Sequence, residues 1–124
     1  MTTASIPRQV WIDKTDSPNA EALRWAEQGP ALPAWIIARE QTAGKGRRGR
    51  AWFGAVGNFY GTLVLSPGGG PADWMAHSFI AALAVEEAVV AHAPGAHVAL
   101  KWPNDVLLDG GKCAGILLES TGGP

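Results

Sequence analysis

The stretch "QTAGKGRRGRAW", from Gln41 to Trp52, sets three glycines (Gly44, Gly46 and Gly49) among four cations (Lys45, Arg47, Arg48 and Arg50). Glycine permits positive φ and lets backbone amides come close to a ligand, while the cations supply local charge; together they suit a phosphate. Gly44 to Gly49 has the G-x-x-x-x-G spacing of a P-loop, but that motif continues with Lys and then Ser or Thr, where this chain has Arg50 and Ala51. Without the magnesium-binding hydroxyl, a P-loop is rejected. Two other readings fit the loop taken alone: an arginine–glycine segment that grips RNA, or a solvated basic loop whose glycines serve only turn geometry. The RNA reading conflicts with the charge of the whole chain. Ten Lys and Arg against eleven Asp and Glu give a net charge of −1, which leaves no global basic field for nucleic acid or an anionic membrane.

A second segment, "KWPNDVLLDGGKCAGILLES", places Lys101, Asn104, Asp105 and Lys112 in an otherwise apolar hairpin. An ammonium on a strand inside a helix-backed sheet is costly unless an anion or carboxylate lies within reach. Asp105 could offset one of the lysines or help hold a cation. Lys101 reads equally well as an edge residue with its head in solvent, and Trp102 to Asp105 as a turn, since Pro, Asn and Asp are turn formers.

The elements that must carry these segments alternate in type. "RQVWIDKT" reads as a first strand, and "DSPNAEALRWAEQGP" as a helix capped by Ser17, opened by Pro18 and stopped by Gly29-Pro30. "AWIIAR" is a buried strand that delivers the chain into the glycine loop, and "NFYGTLVLS" is the next strand. From Pro71 to about Ala93, apolar residues recur at mixed three- and four-residue spacing behind Asp73, as in a long core-facing helix. "HVALKWP", "DVLLDGGK" and "CAGILLE" read as three short strands, the last two joined by Asp109-Gly110-Gly111. The class is a sheet backed by helices on one face.

At 124 residues the chain suits one domain, residues 1–124, and its 47% hydrophobic content with six tryptophans is enough for a core. One cysteine, Cys113, excludes an intrachain disulfide, and His77, His92 and His97 show no metal spacing. Cys113 itself reads as a small core or edge residue. The N-terminus has no basic region followed by an apolar run, and no window approaches the roughly 18 apolar residues of a spanning helix, so a cytoplasmic protein without a membrane partner is expected.

"GKGRRGRAW" and "KWPNDVLLDGGKCAGIL", with "NFYGTLVLS" between them in order, resemble the catalytic domain of biotin protein ligases, from about Ser17 to Glu119. That family is similar in fold to lipoate ligases and lipoyl or octanoyl transferases. The resemblance implies an α+β fold, a class II synthetase-like mixed sheet backed by helices. It implies ATP-dependent activation of biotin to biotinyl-5′-adenylate with Mg2+, then transfer to a lysine of the biotin carboxyl carrier domain of a carboxylase.

Position by position, the resemblance implies that the loop from Gly44 to Trp52 covers biotin and the acyl phosphate. Arg47 and Arg50 match retained arginines, with Gly46 and Arg48 alongside, and Lys45 stands where arginine is usual, which keeps the charge and loses the bidentate fork. Gln41 matches a glutamine that contacts biotin. Lys112 matches the lysine that reaches the biotin carboxylate and the α-phosphate. Lys101, Asn104 and Asp105 match the segment supporting the nucleotide phosphates and magnesium, with Asp105 as the metal ligand. Gly115 and Ile116 match the strand lining the biotin pocket. Ser17 matches a ring contact in the family's Ser-Thr-Asn helix start, where Pro18 replaces the threonine, so lipoate or octanoate stays open as the acid. Lys112, Arg47 and Asp105 carry the chemistry in this reading.

The family's later strands and C-terminal barrel have no counterpart here, nor does an N-terminal DNA-binding segment. A DNA partner is therefore not expected, and three readings of the length stay open: a fragment, a split protein completed by a second chain, or a shortened relative with another role, with a homodimer or that second chain as the candidate partners. Three classes remain: a ligase module, a non-catalytic biotin-binding fragment, and an RNA-binding loop domain.

Overall fold

The computed structural model describes residues 6–121, which fall into two compact units, residues 6–66 and Pro67–Ser120. The reading of the extreme N-terminus lies partly on residues 1–5, outside the described residues.

In the first unit, β1 (Arg8–Thr15) leads through α1 (Pro18–Ala26) into β2 (Ala34–Gln41). β1 and β2 run parallel, as expected when a helix makes the crossover, with Thr15 opposite Gln41 at their C-terminal ends. The sequence signals for α1 are all used: Ser17 accepts the Ala20 N–H at 3.1 Å, and Pro18 occupies the first turn, where no N–H is needed. Its inner face is Pro18 and Ala22. The chain then forms a two-strand ribbon, β3 (Gly44–Lys45) and β4 (Ala51–Trp52), around a 3₁₀ turn at Arg47–Gly49. β5 (Tyr60–Val64) pairs antiparallel to β2 on the side away from β1. Being the central strand, β2 buries Ala34, Ile36, Ile37 and Ala38, which is why it reads as a continuous apolar run. α1 packs on β2 and β5, and the Thr62 hydroxyl hydrogen-bonds the Asn19 side chain.

The second unit opens with α2 (Pro71–His92), whose Asp73 carboxylate accepts the Gly70 N–H at 3.0 Å. Three antiparallel strands follow in order, β6 (Val98–Lys101), β7 (Asp105–Leu108) and β8 (Gly111–Gly115), with α2 packed on β6 and β7. Val106 is fully buried and Ala82 of α2 is nearly so. Asp109 (φ 49°) and Gly110 (φ 84°) make the two-residue turn between β7 and β8, both in the left-handed region that such a turn requires.

Three expectations are corrected. The last strand spans Gly111–Gly115 instead of starting at Cys113 and running through Glu119. Only Asp109 and Gly110 are spent on the turn, so Gly111 already pairs; beyond Gly115, the Ile116 N–H turns to the Asn104 carbonyl at 3.0 Å. The helix α2, for its part, is long and apolar enough to cross a membrane by length and composition, with an 18-residue window of mean hydropathy 1.4. Its seven alanines raise hydropathy without forming a run of large side chains, which hid the window from a reading based on bulky residues. α2 packs on β6 and β7, but of its residues only Ala82 is buried, with Met75, Ile80, Leu83 and Val90 exposed, so the core-facing helix read from the sequence is corrected to a largely exposed one.

Candidate functional site

In the first unit the C-terminal ends of β1 and β2 converge on the start of α1, a place where parallel strands commonly hold ligands. Asp16 organises it. Its carboxylate accepts two bonds from Arg24, at 2.8 and 3.0 Å, one from the Ser17 N–H at 2.8 Å and one from the Thr15 hydroxyl at 2.9 Å. Arg24 first, then the Ser17 amide, hold the Asp16 carboxyl well below the usual carboxylate range. Arg24 also reaches Glu21 at 2.6 Å. The Thr15 and Asp16 carbonyls accept the N–H groups of Thr42 and Ala43 at 3.0 and 2.8 Å, which ties the base of the glycine loop to the helix start.

The loop is more ordered than its composition implies. Gly46 donates to the Arg50 carbonyl at 2.6 Å and Arg50 to the Arg47 carbonyl at 3.3 Å, with Arg48 (φ 61°) and Gly49 (φ 71°) both left-handed. Gly44 has a specific reason to be glycine: a Cβ there would overlap the Gln41 amide and lie 2.7 Å from the Trp52 carbonyl oxygen. Lys45, Arg47, Arg48 and Arg50 are all exposed. A shallow depression of about 240 Å³ is lined by Thr42, Gly44, Lys45, Gly49, Trp52 and Phe53. The first unit thus brings together Ser17, Gln41 and the loop residues Gly44, Lys45, Gly46, Arg47, Arg48, Arg50 and Trp52.

The second unit brings together the rest. The Lys112 ammonium lies 2.9 Å from the Asp105 carboxylate, with 39% and 19% of the two side chains exposed. Of the two lysines, Lys112 is the one Asp105 offsets. Lys101 is exposed at the end of the outer strand β6, as the solvent reading has it. Asn104 is buried; its amide donates to the Ile116 carbonyl at 2.7 Å, and Ile116 donates back to its carbonyl, so the pair joins the turn to the end of β8. Gly115 sits opposite Asp105.

The ladder between β7 and β8 is irregular: Val106 pairs with Ala114 but Leu107 pairs with Lys112, so Cys113 is an extra, bulged residue. It is exposed and reduced. A cavity of about 310 Å³ is lined by Phe79, Leu83, Leu100, Trp102 and Asp105 among others. Among the described residues no cluster of three His, Cys, Asp or Glu side chains could hold a metal.

Sequence reasoning missed Thr15, Asp16 and Arg24. The detectable signal is the Asp that directly precedes the capping serine, since an Asx side chain there competes for the first amides of a helix.

Residues 11–124 match the biotin/lipoate A/B protein ligase family. The chain is 59% identical over 112 residues to a biotin--[acetyl-CoA-carboxylase] ligase of Paracoccus denitrificans, covering 90% of this chain and 46% of that protein. It is 40% identical over 116 residues to the ligase of the same name from Mycobacterium tuberculosis, covering 87% and 42%. Among solved structures, biotin protein ligase from Aquifex aeolicus in complex with biotin and ATP matches with a TM-score of 0.77 at 28% identity, over 94% of this chain and 48% of that one. The Leishmania major ligase in complex with biotinyl-5-AMP matches with a TM-score of 0.73 at 28% identity, over 95% and 54%. The chain therefore spans about half the length of the relatives it matches. The match over residues 11–124, the glycine loop at the end of β2 and the lysine-bearing hairpin agree on one conclusion: this chain belongs to the biotin/lipoate A/B protein ligase family.

Proposed function

We propose that the chain supplies part of the active site of an ATP-dependent biotin ligase, which activates biotin to biotinyl-5′-adenylate and passes the acyl group to a lysine on the carboxyl carrier domain of a carboxylase. The relatives named above support biotin as the acid. The observation that carries the reading is the Lys112–Asp105 pair at 2.9 Å. A partly exposed ammonium on a flexible stem, held beside the Asp105 carboxylate, can turn to the anions of an acid and a phosphate without being buried uncompensated.

Biotin carboxylate attacking the α-phosphate of ATP brings two anions together, so cations are needed where charge builds. Lys112 and Arg47 are assigned to that task, with Lys45, Arg48 and Arg50 adding positive charge along the loop; fixed donors of this kind contribute several kcal/mol to the barrier reduction. Gln41 and Ser17 contact the acid in this reading, Gly44 and Gly46 let the loop backbone approach it, and Trp52 closes the ribbon. Gly115 and Ile116 line the acid's path, and Asn104 holds them by its bond to Ile116. Lys101 adds a solvent-facing cation for the triphosphate. Loop cover keeps water from the acyl adenylate, which hydrolyses when exposed.

Among the described residues Asp105 belongs to no cluster of three metal-ligating side chains, which fits magnesium arriving on the triphosphate of its substrate better than a resident metal. Such an ion would neutralise phosphate charge. The cytoplasm, where ATP and unmodified carboxylase are made, is the compartment this reading assigns.

The test is pyrophosphate release by the 124-residue chain with ATP and magnesium, in parallel with biotin, lipoate and no acid. Biotin-dependent release that vanishes in Lys112→Ala is expected. Release that is indifferent to the acid, or that favours lipoate, overturns the assignment. Biotin binding by calorimetry without release marks a non-catalytic binding unit instead.

A further inference from the structure

We propose that the bulge at Cys113, and not the position of the lysine in the sequence, determines that the hairpin presents its ammonium on the Asp105 face. Side chains on a strand alternate, and partners across an antiparallel ladder share a face. Asp105 lies opposite Gly115 and Val106 opposite Ala114. Continued without interruption, that register would put Cys113 opposite Leu107 and Lys112 opposite Leu108. Lys112 would then share the face of Val106, which is fully buried, and not that of Asp105. The observed partner of Lys112 is Leu107, two residues from Asp105 on the same face, and the ammonium reaches the carboxylate at 2.9 Å.

One extra residue thus moves a charge from an apolar face, where it would be costly, to a face with a counter-charge. The functional weight of this device rests on Lys112 being the reactive ammonium proposed above; the facing itself does not.

Two single deletions in the same hairpin separate facing from everything else. Removing Cys113 leaves the Asp109–Gly110 turn and a regular ladder with Lys112 still opposite Leu107. Removing Gly110 leaves an Asp109–Gly111 turn and a ladder equally regular, but with Lys112 opposite Leu108. A third chain adds Lys112→Val and Cys113→Lys to the Gly110 deletion, which returns a lysine to the Asp105 face at a different sequence position and takes the charge off the apolar one. Each chain is checked for folding by circular dichroism. Coupling between the lysine and Asp105 is then measured by double-mutant cycles on thermal stability, using Asp105→Asn and lysine→Met.

Coupling is expected in the wild type, in the Cys113 deletion and in the third chain, and is expected to be lost in a folded Gly110 deletion; where that deletion does not fold, the third chain decides. Biotin-dependent pyrophosphate release should follow the same order, with the Gly110 deletion as low as Lys112→Ala. A folded Gly110 deletion that keeps the coupling overturns the proposal, as does a folded third chain that lacks it. Since coupling is read without substrate, an inactive wild type would count against the ligase reading and leave this test intact.

Discussion

Asn104→Ala should lower stability by about 2 kcal/mol. In the folded chain the Asn104 amide donates to the Ile116 carbonyl at 2.7 Å from a buried position. Removing it forfeits about 1 kcal/mol of net hydrogen bonding and leaves that carbonyl short of a partner, for roughly another 1 kcal/mol. The return bond, from the Ile116 N–H to the Asn104 carbonyl at 3.0 Å, is made by the backbone and survives, so the loss has an upper bound. For a chain of this size the deficit corresponds to a fall of about 8 °C in the melting midpoint. Asn104→Asp should be worse than Ala, because it sets a carboxylate against a carbonyl in place of a donor. Thermal melts followed by circular dichroism give the midpoints. An Asn104→Ala chain that melts within about 2 °C of wild type, or an Asp variant milder than Ala, refutes the assignment of a structural bond to this side chain.

Trp74 buries its indole N–H without a hydrogen-bond partner among the described residues, so Trp74→Phe should stay within about 1 kcal/mol of wild type, the relieved donor offsetting the lost ring area, whereas Trp74→Ala should lose several times more in the same melts. Gly44→Ala should loosen the loop ribbon and speed tryptic cleavage at Lys45 and Arg47, because its Cβ would meet the Trp52 carbonyl; Gly46→Ala, whose nearest neighbour would be 3.7 Å away, should cleave near the wild-type rate. The depressed Asp16 carboxyl contributes stability that is full above the ordinary carboxylate value near 4 and is lost as pH falls toward its own lower value. Acid titration of Asp16→Asn should therefore show a shallower loss below about pH 4, and the difference should shrink in salt because the pair with Arg24 is half-exposed.

Local features were readable where a residue type has one dominant use. Ser17 and Pro18 mark the start of α1, and Asp109-Gly110 marks the turn, because capping and left-handed φ are set by a few neighbouring atoms. The central strand was readable because burial on both faces forces an unbroken apolar run. Partnership across the hairpin was not. That Asp105 would offset one lysine follows from the cost of a lone ammonium, but which lysine depends on ladder register, and the bulge at Cys113 that settles it has no local signal. The ribbon inside the glycine loop was likewise invisible, since Gly and Arg carry no strand preference and the pairing of Gly44 with Trp52 is made by backbone. The family resemblance supplied the roles of the residues; their partners came from geometry.

The two bonds that anchor Thr42 and Ala43 to the carbonyls of Thr15 and Asp16 also set the base from which the loop departs. Everything up to Ala43 is fastened to the sheet edge and to the ion-paired start of α1. Gly44, the first residue past the anchor, is itself buried and paired with Trp52, so the ribbon continues the anchored base. The residue that cannot accept a side chain is therefore the one that joins the loop to this base, and the cations from Lys45 to Arg50 stand beyond it on a turn closed by the Gly46–Arg50 bond.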